Sequence, residues 1–266
     1  MNIIGNYVES DIPLSRISTI DVCEMGIKKH NVTALIELDV TKARRLIKVY
    51  RNKTGKRLSF TTWMIKCISE SIEAHKHVNS YINLSKRKLV TFEDIDITVI
   101  IEKDIDGDKV PLPYVIRKTN EKTFEIIEEE IKEAKTKGLT EEDFTFEKKH
   151  PRLMAFFLSM PQAIRKLFWK RILTDPYFAK KTMGTAVVTS VGMFGKVNGW
   201  VIPNTIFPLC FALGSVIRKP GVANKQIEVR EYLCLTVVFD HDVIDGAPAA
   251  RFIAHLADLI ENARGL

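Results

Sequence analysis

No apolar run in this 266-residue sequence approaches the ~20 residues that a membrane-spanning helix needs. Its start, MNIIGNYVESDIPLSRIS, lacks both the basic region and the apolar run of a secretory leader, so a cytoplasmic, full-length chain is expected. Cysteine is scarce. Cys23, Cys67, Cys210 and Cys234 stand far apart among apolar neighbours, with no C-x-x-C pair, which argues against structural zinc and redox chemistry and for small buried hydrophobes. Metal-ligand spacing is missing as well. His75 and His77 are two apart with no third ligand in reach by sequence, and Asp104, Asp106 and Asp108 imitate a calcium loop only up to Gly107, two positions too early, and Val115, where a bidentate Glu is required. A phosphate loop is absent: Ser190 stands where its first glycine belongs, and Gly195-Lys196 is followed by Val197.

Core-forming residues are not lacking. Hydrophobic residues make up 45% and charged residues 27%, the balance of a folded globular chain and not of a disordered or disulfide-stapled one. Acids are nearly missing from one stretch only. Between Lys148 and Lys181 nine Lys or Arg residues face a single acid, Asp175, so this segment holds the excess positive charge while the rest of the chain is close to neutral against a total of +7. A balance of this kind points to an anionic partner: nucleic acid, a phosphorylated ligand or a membrane surface.

Periodicity places strands at 32–40, where β-branched residues dominate, and at 95–101, where Ile95, Ile97, Val99 and Ile101 alternate with polar residues. The turn DIDGDK then leads to a hairpin partner, VPLPYVIRK. Helical spacing is read after Thr41, from Thr61 to about His75, from Thr119 to Lys137, and from about Ala247 to Asn262. The last third contains three strand-like runs, GTAVVTSVG, TIFPLCFALGSVI and QIEVREYLCLTVVFD. Strands and helices do not alternate strictly, so the expected class is α/β (α+β), a mixed β-sheet flanked by helices in a single domain of residues 1–266.

Chemistry concentrates in Phe239-Asp-His-Asp-Val-Ile-Asp-Gly-Ala-Pro. His241 leaves a buried strand and Asp245-Gly246 opens a helix four residues later; a histidine held rigidly there can serve as a general base. Asp245 can anchor the turn through an ion pair or backbone amides, or act only as a helix cap. In GTAVVTSVGMFG, Thr189 and Ser190 end another strand, where a hydroxyl can donate to a developing oxyanion or merely satisfy turn amides.

Taken in order, HNVTALIELDVT, VPLPYVIRKTNEKTFEII, GTAVVTSVGMFG and DHDVIDGAPAARF resemble the catalytic core of the acyltransferases of 2-oxo acid dehydrogenase complexes, a family that shares its fold with chloramphenicol acetyltransferase. The resemblance implies an acyltransferase assembled as a homotrimer with active sites between subunits, using coenzyme A as a substrate; the residues themselves lead to the expectation of no metal and no covalently attached lipoyl group. The resemblance implies His241 as the base, Asp245 as the loop anchor and Thr189 as the oxyanion donor in place of a serine. It leaves the acceptor open between dihydrolipoamide supplied in trans and a small alcohol or amine. Three departures stand out: a stand-alone core without a lipoyl domain is expected, Ser18-Thr19 replaces a basic pair after Arg16, and the basic, aromatic segment 148–183 is inserted where a short connection is usual. Arg16 is the candidate partner of Asp245. The insertion reads as a helical excursion packed on the core, with peripheral membrane contact or an acidic protein as possible partners. A catalytically silent trimeric core recruiting partners through the insertion is the alternative function.

Overall fold

The structure, a computed structural model, describes residues 5–56, 58–105, 108–136, 156–157, 159–191, 198–223 and 225–266. The chain runs α1 (Leu14–Gly26), β1 (Asn31–Asp39), α2 (Thr41–Thr54), α3 (Phe60–Ala74), β2 (Ser80–Asn83), β3 (Lys88–Thr91), β4 (Ile97–Ile105) and β5 (Asp108–Ile116). It continues through α4 (Phe124–Thr136), α5 (Gln162–Thr174), α6 (Pro176–Met183), β6 (Ala186–Ser190), β7 (Leu209–Ala223), β8 (Gln226–Asp240) and α7 (Gly246–Glu261). Six strands form one sheet in the order β1-β8-β7-β6-β4-β5, and β2 pairs with β3 apart from it. β6 lies parallel to both β4 and β7, while the other neighbours are antiparallel. This is the expected mixed sheet. The 95–101 strand and its partner pair as read, although Asp106 and Gly107 of their turn lie outside the described residues.

Helices α3 and α7 cover one face of the sheet. Ser59 caps α3 by accepting from the Thr62 N–H at 3.0 Å, and nine residues of that helix are buried because Trp63, Met64, Ile65, Ile68 and Ile72 occupy the positions nearest the strands. In α7 the stripe Phe252, Leu256 and Ile260 is fully buried. Each such side chain contributes about 1.5–3 kcal/mol through burial. The Phe252 ring meets Phe211 of β7 and Phe239 of β8 at centroid distances of 6.1 and 6.0 Å, fastening the last helix beside the strand that ends at His241.

Several elements differ from the sequence reading, which did not include the short β2–β3 pair. Residues 14–26 form a helix that periodicity does not announce, stabilised by tertiary contacts described below. The helix read from Thr119 starts five residues later, at Phe124, and its end beyond 136 lies outside the described residues. Thr119 is buried, with its hydroxyl donating to the Ile95 carbonyl at 3.0 Å and bonded to Ser69 at 2.8 Å, so residues 119–121 are tied to the sheet as a 3₁₀ turn and the α-helix begins only after it.

Within the insertion, Lys148, Lys149 and Arg152 lie outside the described residues. The remainder folds as α5 after Pro161 and α6 after Asp175, which caps α6 by accepting from the Tyr177 and Phe178 N–H groups, both at 3.1 Å. These helices build a second core: Trp169, Ile172, Ala179 and Met183 pack with Met25 of α1, Tyr81 of β2 and Ile206. Arg165, one of the cations considered for a membrane surface, is buried instead and holds Asp21 of α1 in a two-pronged ion pair at 2.6 and 3.1 Å. Asp21 has no exposed surface. Inside the protein an unpaired carboxylate is costly, so the arginine is drawn inward to meet it.

Candidate active site

β8 ends at the buried Asp240, and His241 follows as an exposed residue whose backbone N–H donates to the His30 carbonyl at 2.8 Å. The segment between α1 and β1 grips this turn on both flanks. Lys29 forms a close ion pair with Asp240, and His30 Nδ1 lies 2.9 Å from Asp242 Oδ1. Backbone position at His241 is therefore fixed from both sides. Its ring has no bonding partner among the described residues, so an imidazole nitrogen is open to an incoming group. Asp245 stands at the N-cap of α7 with its side chain exposed and no cap hydrogen bond. Arg16 is exposed on α1 and forms no ion pair with Asp245 among the described residues. The pairing considered between them is not formed within one chain.

Thr189 sits near the end of β6, half-buried. Side-chain alternation turns it to the face that bears Val187, Cys210 and Val238, opposite the face covered by α3 and α7. The register separates it from His241. Thr189 is level with Ala212 of β7, which is level with Thr236 of β8, and His241 lies five residues past Thr236. Five residues along the strands and two strand spacings across them put the two about 19 Å apart. One chain carries both groups without bringing them together. The glycine-rich turn after Val191, residues 192–197, lies outside the described residues, but the chain returns against β7 at Gly199. Gly214 lies in the β7 bulge between Leu213 and Val216, where a Cβ would come 2.6 Å from the Gly199 carbonyl oxygen, so only glycine admits this close approach.

Sequence reasoning missed Lys29, His30, Asp240 and Asp242, although the two aspartates flank His241 in plain view. Their partners lie more than 200 residues away, beyond the reach of any local pattern. Three of the four thiols are placed as expected, with Cys23 only half-buried: Cys67, Cys210 and Cys234 are buried, and burial pushes each above the usual thiol range, Cys210 to about 12, which keeps them protonated and poor nucleophiles. No group of three potential metal ligands occurs among the described residues. A cleft of about 610 Å³ between α3 and the far end of α7, lined by Lys66, Glu70, His255, Asp258 and Arg264 among others, is remote from His241.

Comparison with known proteins identifies the family and the fold. The sequence matches the family described as 2-oxoacid dehydrogenases acyltransferase (catalytic domain) over residues 9–145 and 179–266, and the unmatched stretch between them contains α5. The succinyltransferase component of the 2-oxoglutarate dehydrogenase complex of Haemophilus influenzae is 23% identical over 266 residues, covering 96% of this chain and 54% of that protein. The lipoamide acyltransferase component of the branched-chain alpha-keto acid dehydrogenase complex of Bacillus subtilis is 23% identical over 262 residues, covering 96% and 53%. The chain thus spans about half the length of these relatives. Among solved structures, a probable dihydrolipoamide acetyltransferase from Listeria monocytogenes superposes with a TM-score of 0.70 at 19% identity, covering 98% of this chain and 97% of that one. The dihydrolipoamide acetyltransferase of Azotobacter vinelandii, studied for the catalytic roles of a serine, a histidine and an asparagine, also gives 0.70 at 19% identity, covering 99% and 96%. These likenesses show a shared fold, and the family match over most of the sequence shows that the chain belongs to the 2-oxoacid dehydrogenase acyltransferase family, as its catalytic domain.

Proposed function

We propose that this chain moves an acyl group between coenzyme A and a thiol or hydroxyl acceptor at a site shared by two subunits of a homotrimer. What carries the proposal is the placement of Thr189 and His241 about 19 Å apart on one sheet, which leaves each subunit with half a site. In the Azotobacter enzyme the serine and histidine studied are 52 residues apart and the asparagine follows the histidine by four; Thr189, His241 and Asp245 repeat both spacings.

His241 takes the proton from the acceptor as its sulfur or oxygen bonds to the thioester carbon. The carbonyl electron pair moves to oxygen, where the Thr189 hydroxyl of the adjoining subunit donates a hydrogen bond, a contact typically worth about 3 kcal/mol in the transition state. Collapse restores the carbonyl and breaks the carbon–sulfur bond to coenzyme A, whose thiolate recovers the proton from His241. No covalent acyl-enzyme is needed. Asp245 acts on the turn that carries His241 and not on its ring, and the adjoining subunit is where its cation partner is expected.

The test is turnover of a panel of acyl-coenzyme A thioesters with dihydrolipoamide or small alcohols, followed by release of free thiol. Transfer that falls ~10²-fold or more in a folded His241→Ala variant supports the proposal. A folded, trimeric wild-type chain that turns over no donor and acceptor pair would instead be a silent assembly core.

A further inference from the structure

We propose that the outer face of α5 and α6 is a docking surface for an anionic lipid bilayer. α5 is apolar on two sides. Its inner side buries Trp169 and Ile172 against α1 and β2, whereas Ile164 and Leu167 on the outer side are 49% and 68% exposed, and Tyr177 of α6 is 60% exposed. A helix apolar on all sides is normally enclosed by protein. Here one apolar side is turned outward.

The charge beside these side chains has one sign. Lys170 and Arg171 follow Leu167 by three and four residues, one turn along the same face, and both are exposed. The Arg171 guanidinium rests 4.5 Å from the centre of the Phe178 ring, which holds it at the surface with its charge intact. Other cations of the insertion are already neutralised: Asp21 holds Arg165 and Asp96 holds Lys180 in the interior, and Glu24 of α1 holds Lys166 at a half-exposed position. Asp175, the one acid between residues 156 and 183, is engaged as the α6 cap.

A convex helix face with aliphatic and phenolic tips between cations matches the headgroup layer of a membrane. Lysine and arginine stems reach outward to phosphate while leucine and isoleucine enter the acyl boundary. A nucleic-acid backbone would meet the same cations but leave Ile164 and Leu167 in water. No described helix is long and apolar enough to cross a membrane, so the contact is peripheral.

The experiment is sedimentation of the intact chain with phosphatidylcholine vesicles and with vesicles containing phosphatidylglycerol, at low and high salt. Wild type is compared with Leu167→Glu and with the Lys170→Gln/Arg171→Gln pair, with circular dichroism confirming that each is folded. Binding is expected on the anionic vesicles only and weakens with salt. It falls ~30-fold in the paired variant, each cation near an anionic surface contributing about fivefold. Leu167→Glu abolishes it. Equal recovery in the supernatant with both vesicle types, or binding unchanged by the variants, overturns the proposal. Retention on polyglutamate without vesicle binding would assign the face to an acidic protein, and a change in oligomer mass for Leu167→Glu without vesicle binding would assign it to another copy of the chain; either overturns the lipid assignment.

Discussion

If Thr189 and His241 complete a site only across a subunit boundary, two inactive variants must be able to rescue each other. In a His241→Ala trimer every site lacks its base, with a loss of ~10²–10⁴-fold. In a Thr189→Val trimer every site lacks its oxyanion donor, with a loss of ~10²-fold. When the two chains are refolded together in equal amounts, a site is intact where the histidine comes from a Thr189→Val chain and the threonine from a neighbouring His241→Ala chain. Random assembly makes about one quarter of the sites intact. The mixture is therefore expected to recover about one quarter of wild-type turnover, far above either parent. The ~19 Å between the two residues within one chain excludes a direct intrachain route to the same result. The assay is free-thiol release after co-refolding, with each variant refolded alone as control and light scattering to confirm equal trimer content. Recovery no greater than the mean of the two parents in verified mixed trimers would refute the shared site.

Two further predictions concern stability. Arg165→Ala leaves Asp21 fully buried without its arginine, and a loss of about 3–5 kcal/mol is expected in urea melts, whereas the Asp21→Asn/Arg165→Met pair should recover much of it because no charge is then stranded. Burial and the neighbouring His255, His77 and Arg251 lower the pKa of His75 below its ordinary 6.5, so its folded pKa lies under its unfolded one. Its contribution is fully present above about pH 6.5 and is lost as pH falls toward the folded value; thermal melts across that range should show this decline in wild type and a flatter profile in His75→Gln.

The strand–histidine–helix unit from Gln226 to Glu261 was legible because each signal is local: an apolar strand, a DG turn, a proline in the first turn of α7, and a buried stripe at Phe252, Leu256 and Ile260. The insertion was legible in composition and in its proline boundaries at 161 and 176. Which side of it faces inward was not. Asp21 decides that, and it meets Arg165 across 144 residues of sequence. The same distance in sequence hides α1, whose Ser, Thr, Asp and Val residues favour a helix weakly and which depends on packing against α5. Likewise Lys29 and His30 could be assigned to the histidine turn only after β1 and β8 were seen to pair from Asn31 to Asp240.

The buried pair of Asp21 and Arg165 gives the insertion a history-dependent character. An added excursion can begin as an ornament that the host fold survives without. Once a carboxylate of the host helix has turned into the interior toward an arginine supplied by the addition, that freedom is gone. A shortened descendant that joined the chain directly across residues 146–178 would inherit Asp21 with nothing to face and would bare Met25, Tyr81 and Ile206 to water. It would need several compensating changes at once, at a carboxylate, at a tyrosine and along α1. Within this chain the segment is therefore not separable from α1, because the two share one core and one buried ion pair.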